Sequence, residues 1–161
     1  MTEITSTFTP VTQTRFYEPD APPDQQRGNC LTAVVASLLN LPIEAVPNFV
    51  QEDVDSGGEK DWWVSCWTFI HEQDAHMVLL RDHTQPASPF PLPEPGEVYT
   101  VSGPSPRDAR VHHVVLFRDG EMVHDPHPDR TGLLSFADDY RWTIRPGPNK
   151  ILPATEDTAN G

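Results

Sequence analysis

Three residue types that together carry out acyl transfer are spread over two apolar segments of the chain. Cys30 begins the segment CLTAVVASLL, and His112, His113 and Asp125 lie far downstream around an Asp-Gly pair. A thiol needs a base that takes its proton, and the base needs an acidic group that orients it. The chain order Cys, His, Asp therefore predicts a thiol-dependent catalytic triad.

The segment that begins at Cys30 has the composition of a buried helix. Its apolar residues leave little room for a solvated face, and Pro42 is expected to end it. Asn29 is placed to cap the first turn by accepting a backbone N–H, and the partial positive charge of a helix N-terminus lowers the pKa of a thiol. The alternative is a core cysteine without chemistry, because free cysteines are among the most buried residues.

Residues 111–125 predict a β-hairpin that carries the histidines and the aspartate. Asp119-Gly120 between two apolar runs is a strong hairpin signal, and Pro126 is expected to end the second strand.

The length of the turn decides which histidine shares a face with Asp125, because side chains alternate along a strand. A two-residue turn pairs Val114 with Asp125 and places His112 on the face of Asp125. A three-residue turn over 118–120, with Gly120 left-handed at a bulge, places His113 directly opposite Asp125. The apolar pattern does not separate these registers, because both faces are rich in valine and leucine.

The helix that starts at Cys30, the histidine motif at 112–115 and the strand that ends in Asp125-Pro126 together resemble the papain-like cysteine peptidase superfamily. The pattern is most similar to the leader-cleaving peptidase domains of bacteriocin-exporting transporters, and it also resembles small uncharacterised papain-like proteins of phages and bacteria. The matched segments cover about a quarter of the chain.

The resemblance implies a role for each matched residue. Cys30 takes the position of the nucleophile, His113 that of the base and Asp125 that of the orienting acid, so the resemblance implies the three-residue turn that places His113 opposite Asp125. Gln25 or Gln26 takes that of the oxyanion-hole glutamine, with a spacing to the cysteine that is one or two residues short. Two neighbours depart from the family pattern, which has Asp at the position of Asn29 and prefers Gly at that of Leu31.

We therefore expect a thiol hydrolase or acyltransferase that acts on an amide, isopeptide or thioester bond of a peptide or protein and needs no cofactor. One alternative is a catalytically inactive binding module that keeps the papain-like shell. Another is a metal-dependent enzyme that uses His124, Asp125 and His127 with His112 or His113, since zinc and iron accept such ligands. Strand alternation separates His124 from Asp125, so we expect no metal site.

The expected fold is α+β, with the cysteine-bearing helix packed on a small antiparallel sheet. We expect a flexible N-terminal segment over residues 1–12, one papain-like domain over 13–146 and a disordered acidic tail over 147–161. Trp62, Trp63 and Arg107 are candidate substrate-binding residues, although tryptophan is more often a core residue and a loop arginine is more often only solvated.

The composition limits the partners of this chain. Its 161 residues carry a formal net charge of −13, which argues against binding to a nucleic-acid backbone. No apolar stretch is long enough to span a bilayer and no secretory signal is present, so we expect no membrane association. Two cysteines are too few for a disulfide framework, which fits a cytoplasmic protein with a free Cys30 thiol. The oligomeric state is left open.

Overall fold

The computed structural model describes residues 7–22, 27–82, 84, 87–135 and 141–147. These residues form an α+β fold, which confirms the expected fold class. Three α-helices precede the first strand, and one 3-10 turn lies between the first two helices. The elements in chain order are α1 (Cys30–Leu39), the 3-10 turn (Ile43–Ala45), α2 (Phe49–Asp55), α3 (Trp62–Glu72), β1 (Ala75–Leu80), β2 (Val98–Pro104), β3 (His112–Arg118), β4 (Glu121–His124) and β5 (Arg141–Pro146).

The five strands form one sheet in the order β1-β5-β2-β3-β4, and every recorded pairing is antiparallel. The helices bury their apolar sides against one face of this sheet, where Met77, Val98, Leu116 and Trp142 contribute to the larger core. The opposite face carries a smaller apolar cluster, and Leu133 packs against it. The fold therefore has a helix layer on a sheet layer, as expected for elements that are each apolar on one side.

Helix α1 is the most buried helix, as its apolar sequence predicts. Seven consecutive residues, Leu31 to Ser37, are buried, and α1 packs against β3. The helix ends at Leu39 because Asn40 adopts a left-handed conformation with φ of 56°. The end comes before Pro42, which we had expected to terminate the helix.

The hairpin of β3 and β4 has a two-residue turn, so the expected three-residue loop is wrong. Arg118 pairs with Glu121, and the turn residues Asp119 and Gly120 have φ values of 51° and 82°. Positive φ at both central positions is typical of a type I′ turn, whose twist matches that of the flanking strands. The positive φ expected for Gly120 is confirmed, although Gly120 is not a bulge residue.

A bulge in β4 compensates for the shorter turn. Phe117 pairs with Met122, but the next pair is Leu116 with His124, so Val123 is left without an opposite residue. The extra residue shifts the alternation by one position. Asp125 therefore falls on the same side of the hairpin as His113, the relation that we had expected from a different turn.

Two parts of the chain are more ordered than the sequence suggested. The acidic, glycine-containing sequence of residues 52–60 is typical of a loop. Phe49–Asp55 is nevertheless α2, and its N-cap Asn48 accepts a hydrogen bond from the Gln51 N–H. Within the segment 1–12 that we expected to be flexible, residues 1–6 lie outside the described residues, whereas Thr9 and Val11 are hydrogen-bonded to Ser37 of α1. Of the expected acidic tail, only residue 147 is described.

Candidate active site

Asp125 follows β4 and has a fully buried side chain. One carboxylate oxygen accepts hydrogen bonds from His113 Nε2 at 2.7 Å and from the His127 backbone N–H at 2.9 Å. The other oxygen accepts from the Gly132 N–H at 2.7 Å. Burial alone would raise the pKa of the carboxyl, but these three donors hold the pKa below its usual range. Asp125 is therefore an ionised group held in a fixed orientation.

His113 is buried on β3, and its two ring nitrogens have different partners. Nε2 lies against Asp125, and the Cys30 thiol is close enough to the ring to influence its pKa, with Nδ1 as the remaining nitrogen. Burial would lower the pKa of His113, but the hydrogen bonds and charges of Asp125 and Cys30 outweigh burial and raise the pKa to about 9. His112, the competing base, is exposed at the start of β3.

Cys30 is the first residue of α1 and is half-buried. Asn29, which precedes Cys30, makes no side-chain hydrogen bond to the first-turn N–H groups of α1. The second cysteine, Cys66, lies in a different environment. It is fully buried in α3, and burial raises the pKa of its thiol to about 12. Of the two cysteines, only Cys30 is placed for chemistry.

Asn29 does not cap α1, and the expectation that it would is wrong. Its side-chain oxygen accepts hydrogen bonds from the backbone N–H groups of Thr14 and Arg15 at 3.0 and 2.9 Å, and its Nδ2 donates to Thr14 Oγ1. The carboxamide therefore fastens an earlier segment of the chain to the start of α1. No local pattern in the sequence signals this long-range contact.

We call residues 9–15 the N-terminal strap, because they connect both ends of α1 to the end of β4. Val11 accepts a hydrogen bond from His124 Nε2 at 2.8 Å, and the Gln13 N–H donates to the Pro126 carbonyl at 2.9 Å. The strap thereby holds the helix that bears Cys30 against the strand end that bears Asp125. No sequence pattern predicts the strap, since a Thr-rich polar stretch carries no apolar periodicity.

His127 contacts His113, although its sequence position suggested only a metal ligand. Its ring meets that of His113 edge-on with 6.4 Å between centroids, and it also meets the Phe16 ring at 5.1 Å. Nδ1 accepts a hydrogen bond from the Asp129 N–H at 3.1 Å. Burial and the charge of Arg107 lower the pKa of His127, so the ring is neutral and its 3.1 Å approach to the Asp129 carboxylate is not an ion pair.

The three candidate substrate-binding residues have other neighbours. Trp63 packs edge-on against the core residue Trp142, and Trp62, which is partly exposed, packs against Trp63. Arg107 donates to Asp129 at 2.8 Å and to Thr131 at 3.1 Å, so a substrate carboxylate would have to compete with Asp129. Their roles in binding stay predictions.

Gln25 and Gln26, the candidates for the oxyanion hole, lie outside the described residues. A different glutamine lies near the cysteine, since Gln13 is buried with its Nε2 3.4 Å from the position that a side chain at Gly28 would occupy. Gln13 Nε2 donates to the Arg15 carbonyl at 2.8 Å. Its Oε1 is buried and has no partner among the residues that the structure describes.

The metal alternative is not supported by the arrangement of the described ligands. His124 Nε2 binds the Val11 carbonyl and is thereby directed away from Asp125. Across the ranges that the structure covers, no group of three or more His, Cys, Asp or Glu residues is arranged to hold a metal ion.

Comparisons with known proteins give no relative for this chain. No family model, no curated protein and no solved structure matches it. Within the described part of the chain, no helix is both long enough and apolar enough to cross a bilayer.

Proposed function

We propose that this protein is a papain-like thiol enzyme that transfers an acyl group from an amide, isopeptide or thioester through Cys30, His113 and Asp125. The observation that carries the proposal is that one imidazole, that of His113, bonds Asp125 through Nε2 at 2.7 Å and lies near the Cys30 thiol at the start of α1. A nucleophile in reach of a base, with the base held by a third group, is the arrangement that nucleophilic catalysis requires.

The charges in the site favour an activated thiol. The raised pKa of His113 keeps the imidazole protonated at neutral pH, and an adjacent imidazolium stabilises a thiolate. Asp125, which is ionised, stabilises that imidazolium and holds its ring in one orientation. In the proposed mechanism, the nucleophile is the Cys30 thiolate beside this imidazolium.

In the first step, the Cys30 sulfur attacks the carbonyl carbon, and a C–S bond forms as the carbonyl becomes a tetrahedral oxyanion. The uncapped N–H groups at the start of α1 are suited to donate to this oxyanion, with Gln25 or Gln26 as the further donor that the family resemblance implies. The bond to the leaving group then breaks, and His113 gives its Nδ1 proton to the departing amine or thiolate.

In the second step, the neutral imidazole of His113 takes a proton from water or from an amine. That nucleophile attacks the acyl-thioester and the C–S bond breaks. Cys30 leaves as a thiolate, and the proton stays on His113. Water makes the enzyme a hydrolase and an amine makes it a transferase, and both use the same residues.

The thiol is tested by labelling with iodoacetamide, followed by mass spectrometry of each cysteine. Cys30 is expected to react much faster than Cys66, whose thiol is buried and protonated. Cys30→Ser should remove the fast phase, and the control Cys66→Ala should keep it. Equal labelling rates for the two cysteines in the folded protein would contradict an activated nucleophile.

Acyl transfer is separated from mere thiol reactivity with p-nitrophenyl acetate as the probe. The enzyme should release p-nitrophenol in a burst, become acetylated at Cys30 and then turn over. His113→Ala should slow both acylation and deacylation, because the imidazole acts in both steps. A binding module predicts instead that acetylated Cys30 accumulates without turnover and that His113→Ala has no effect.

A further inference from the structure

The ring of His127 and the ring of Phe16 form a continuous surface that begins at His113. The His127 ring contacts both of the others, with centroid distances of 6.4 Å to His113 and 5.1 Å to Phe16. The side chain of His127 is 19% exposed and Phe16 is 37% exposed, so both are open to a bound molecule. We call this surface the Phe16–His127 rim.

The polar edge of His127 has a defined character. Because Nδ1 accepts the Asp129 N–H, the proton of the neutral ring is on Nε2, which is a hydrogen-bond donor. The structure records no acceptor for this donor within the residues that it describes. The Phe16 ring next to it offers apolar surface, so the rim presents one donor beside one apolar patch.

The position of the rim relative to the chemistry follows from the proton transfer. His113 protonates the leaving atom, so the leaving group must pass beside the His113 ring. The His127 ring is in edge contact with that ring, and Phe16 contacts His127 in turn. Phe16 also follows Arg15, whose carbonyl accepts a hydrogen bond from the N–H of Asn29, the residue before Cys30. The rim therefore lies beside both His113 and the start of α1.

We propose that the Phe16–His127 rim binds the leaving-group side of the substrate, with His127 Nε2–H donating to the carbonyl of the residue after the scissile bond and Phe16 covering its apolar side chain. The inference rests on the proposed acyl-transfer function and deepens it. It assigns as substrate a peptide or protein with an apolar residue after the cleaved bond, in contrast to a small amide that releases ammonia.

The test uses three acetyl thioesters that differ only in the leaving thiol. The thiol of the first, 2-mercapto-3-phenylpropanamide, has both a carbonyl and a benzyl group. That of the second, 2-mercaptoacetamide, has the carbonyl alone, and that of the third, 2-phenylethanethiol, has the aromatic group alone. Acetyl transfer forms the Cys30 C–S bond and breaks that of the probe, and the released thiol is measured.

The wild-type protein should react fastest with the first thioester. Phe16→Ala should remove the advantage of the first thioester over the second. His127→Phe, which keeps a ring but lacks the donor, should remove the advantage of the first over the third, a loss of roughly fivefold for one hydrogen bond. Each comparison is a ratio of two rates within one variant, so a general loss of rate in that variant cancels.

Phe90→Ala is the matched control, because Phe90 is similarly exposed and lies in the loop next to β1, at the opposite edge of the sheet from β4. It should leave all three rates unchanged. Wild-type preferences that persist in both rim variants would overturn the rim as a subsite and leave acyl transfer standing. Failure of every thioester to acetylate wild-type Cys30 would overturn the proposed function, and the subsite with it.

Discussion

At the scale of single residues, Asp125 shows how a buried charge is kept. Its carboxylate has no exposure, yet three N–H donors, from His113, His127 and Gly132, surround its oxygens. Arg130 adds a hydrogen bond to the backbone carbonyl of Asp125. Burial of a charge costs free energy unless it is paired and hydrogen-bonded, and here two backbone donors from the loop after β4 provide that pairing together with His113.

The raised pKa of His113 makes stability and activity depend on pH in a defined direction. Because the pKa of His113 is higher in the folded protein than the ordinary histidine value of 6.5, protonation stabilises the folded state fully below 6.5, and the contribution is lost as pH rises through about 9. The free energy of unfolding, measured with urea, should therefore fall across this window. In His113→Gln this fall should be absent, and an equal fall in the variant would contradict the assignment.

In the proposed reaction, acylation by amide substrates should decline above about pH 9, because the leaving amine then finds no proton on His113.

At the scale of elements, the bulge in β4 decides which histidine faces Asp125. Deletion of Val123 alone would remove the extra residue but keep His124 opposite Leu116, so Asp125 would stay on the side of His113 and the fast alkylation of Cys30 should persist. Deletion of both Met122 and Val123 would bring His124 opposite Phe117 and turn Asp125 to the other side of the hairpin. This double deletion should lose the fast alkylation, because His113 loses Asp125. Val123→Ala, the control, keeps the backbone path and should keep the fast alkylation, since Val123 is 38% exposed and packs little. Fast alkylation in the double-deletion variant would show that the register of β4 does not position Asp125 for His113.

Asn29 allows a second test at this scale, because its two possible roles predict opposite results. As a helix cap, Asn29→Ser would be tolerated. As the anchor of the N-terminal strap, Asn29→Ser loses the reach to the Thr14 and Arg15 N–H groups and should destabilise the fold by about 1–3 kcal/mol, the cost of buried donors without partners. Asn29→Asp keeps an acceptor for both and should cost less. Chemical denaturation of both variants measures the difference, and a neutral Asn29→Ser would rule out the anchor role.

The hairpin also shows how much of the structure could be predicted from the sequence. Apolar β-branched runs around Asp119-Gly120 predict the two strands correctly, and the family resemblance selects His113. The bulge at Val123 could not be predicted from the sequence, because it depends on how β4 pairs with β3 and not on any residue type that favours a bulge. The cap at Asp61, which accepts from Trp63 and Val64, was predictable because it is local. The roles of Asn29, Gln13 and His127 were not, since their contacts join segments distant in sequence.

At the scale of the whole molecule, the net charge of −13 opposes compaction. Salt should screen this repulsion, so the melting temperature is expected to rise as sodium chloride increases from about 0.01 to 0.15 M, where the Debye length shortens from about 30 to 8 Å. Thermal denaturation followed by circular dichroism measures the shift. A melting temperature that falls with salt would show that the ion pairs, such as Arg145 with Glu97 at 2.7 Å, outweigh the repulsion.

The N-terminal strap has a consequence for how the protein is made. Val11 and His124, which it joins, are 113 residues apart in the sequence, so the strap cannot dock until the hairpin has left the ribosome. Contacts between distant residues slow folding, because the chain between them must first be closed into a loop. During synthesis, Cys30 and α1 therefore emerge well before their partners. Until His113 and Asp125 follow, the Cys30 thiol lacks the imidazole that lies near it in the folded protein.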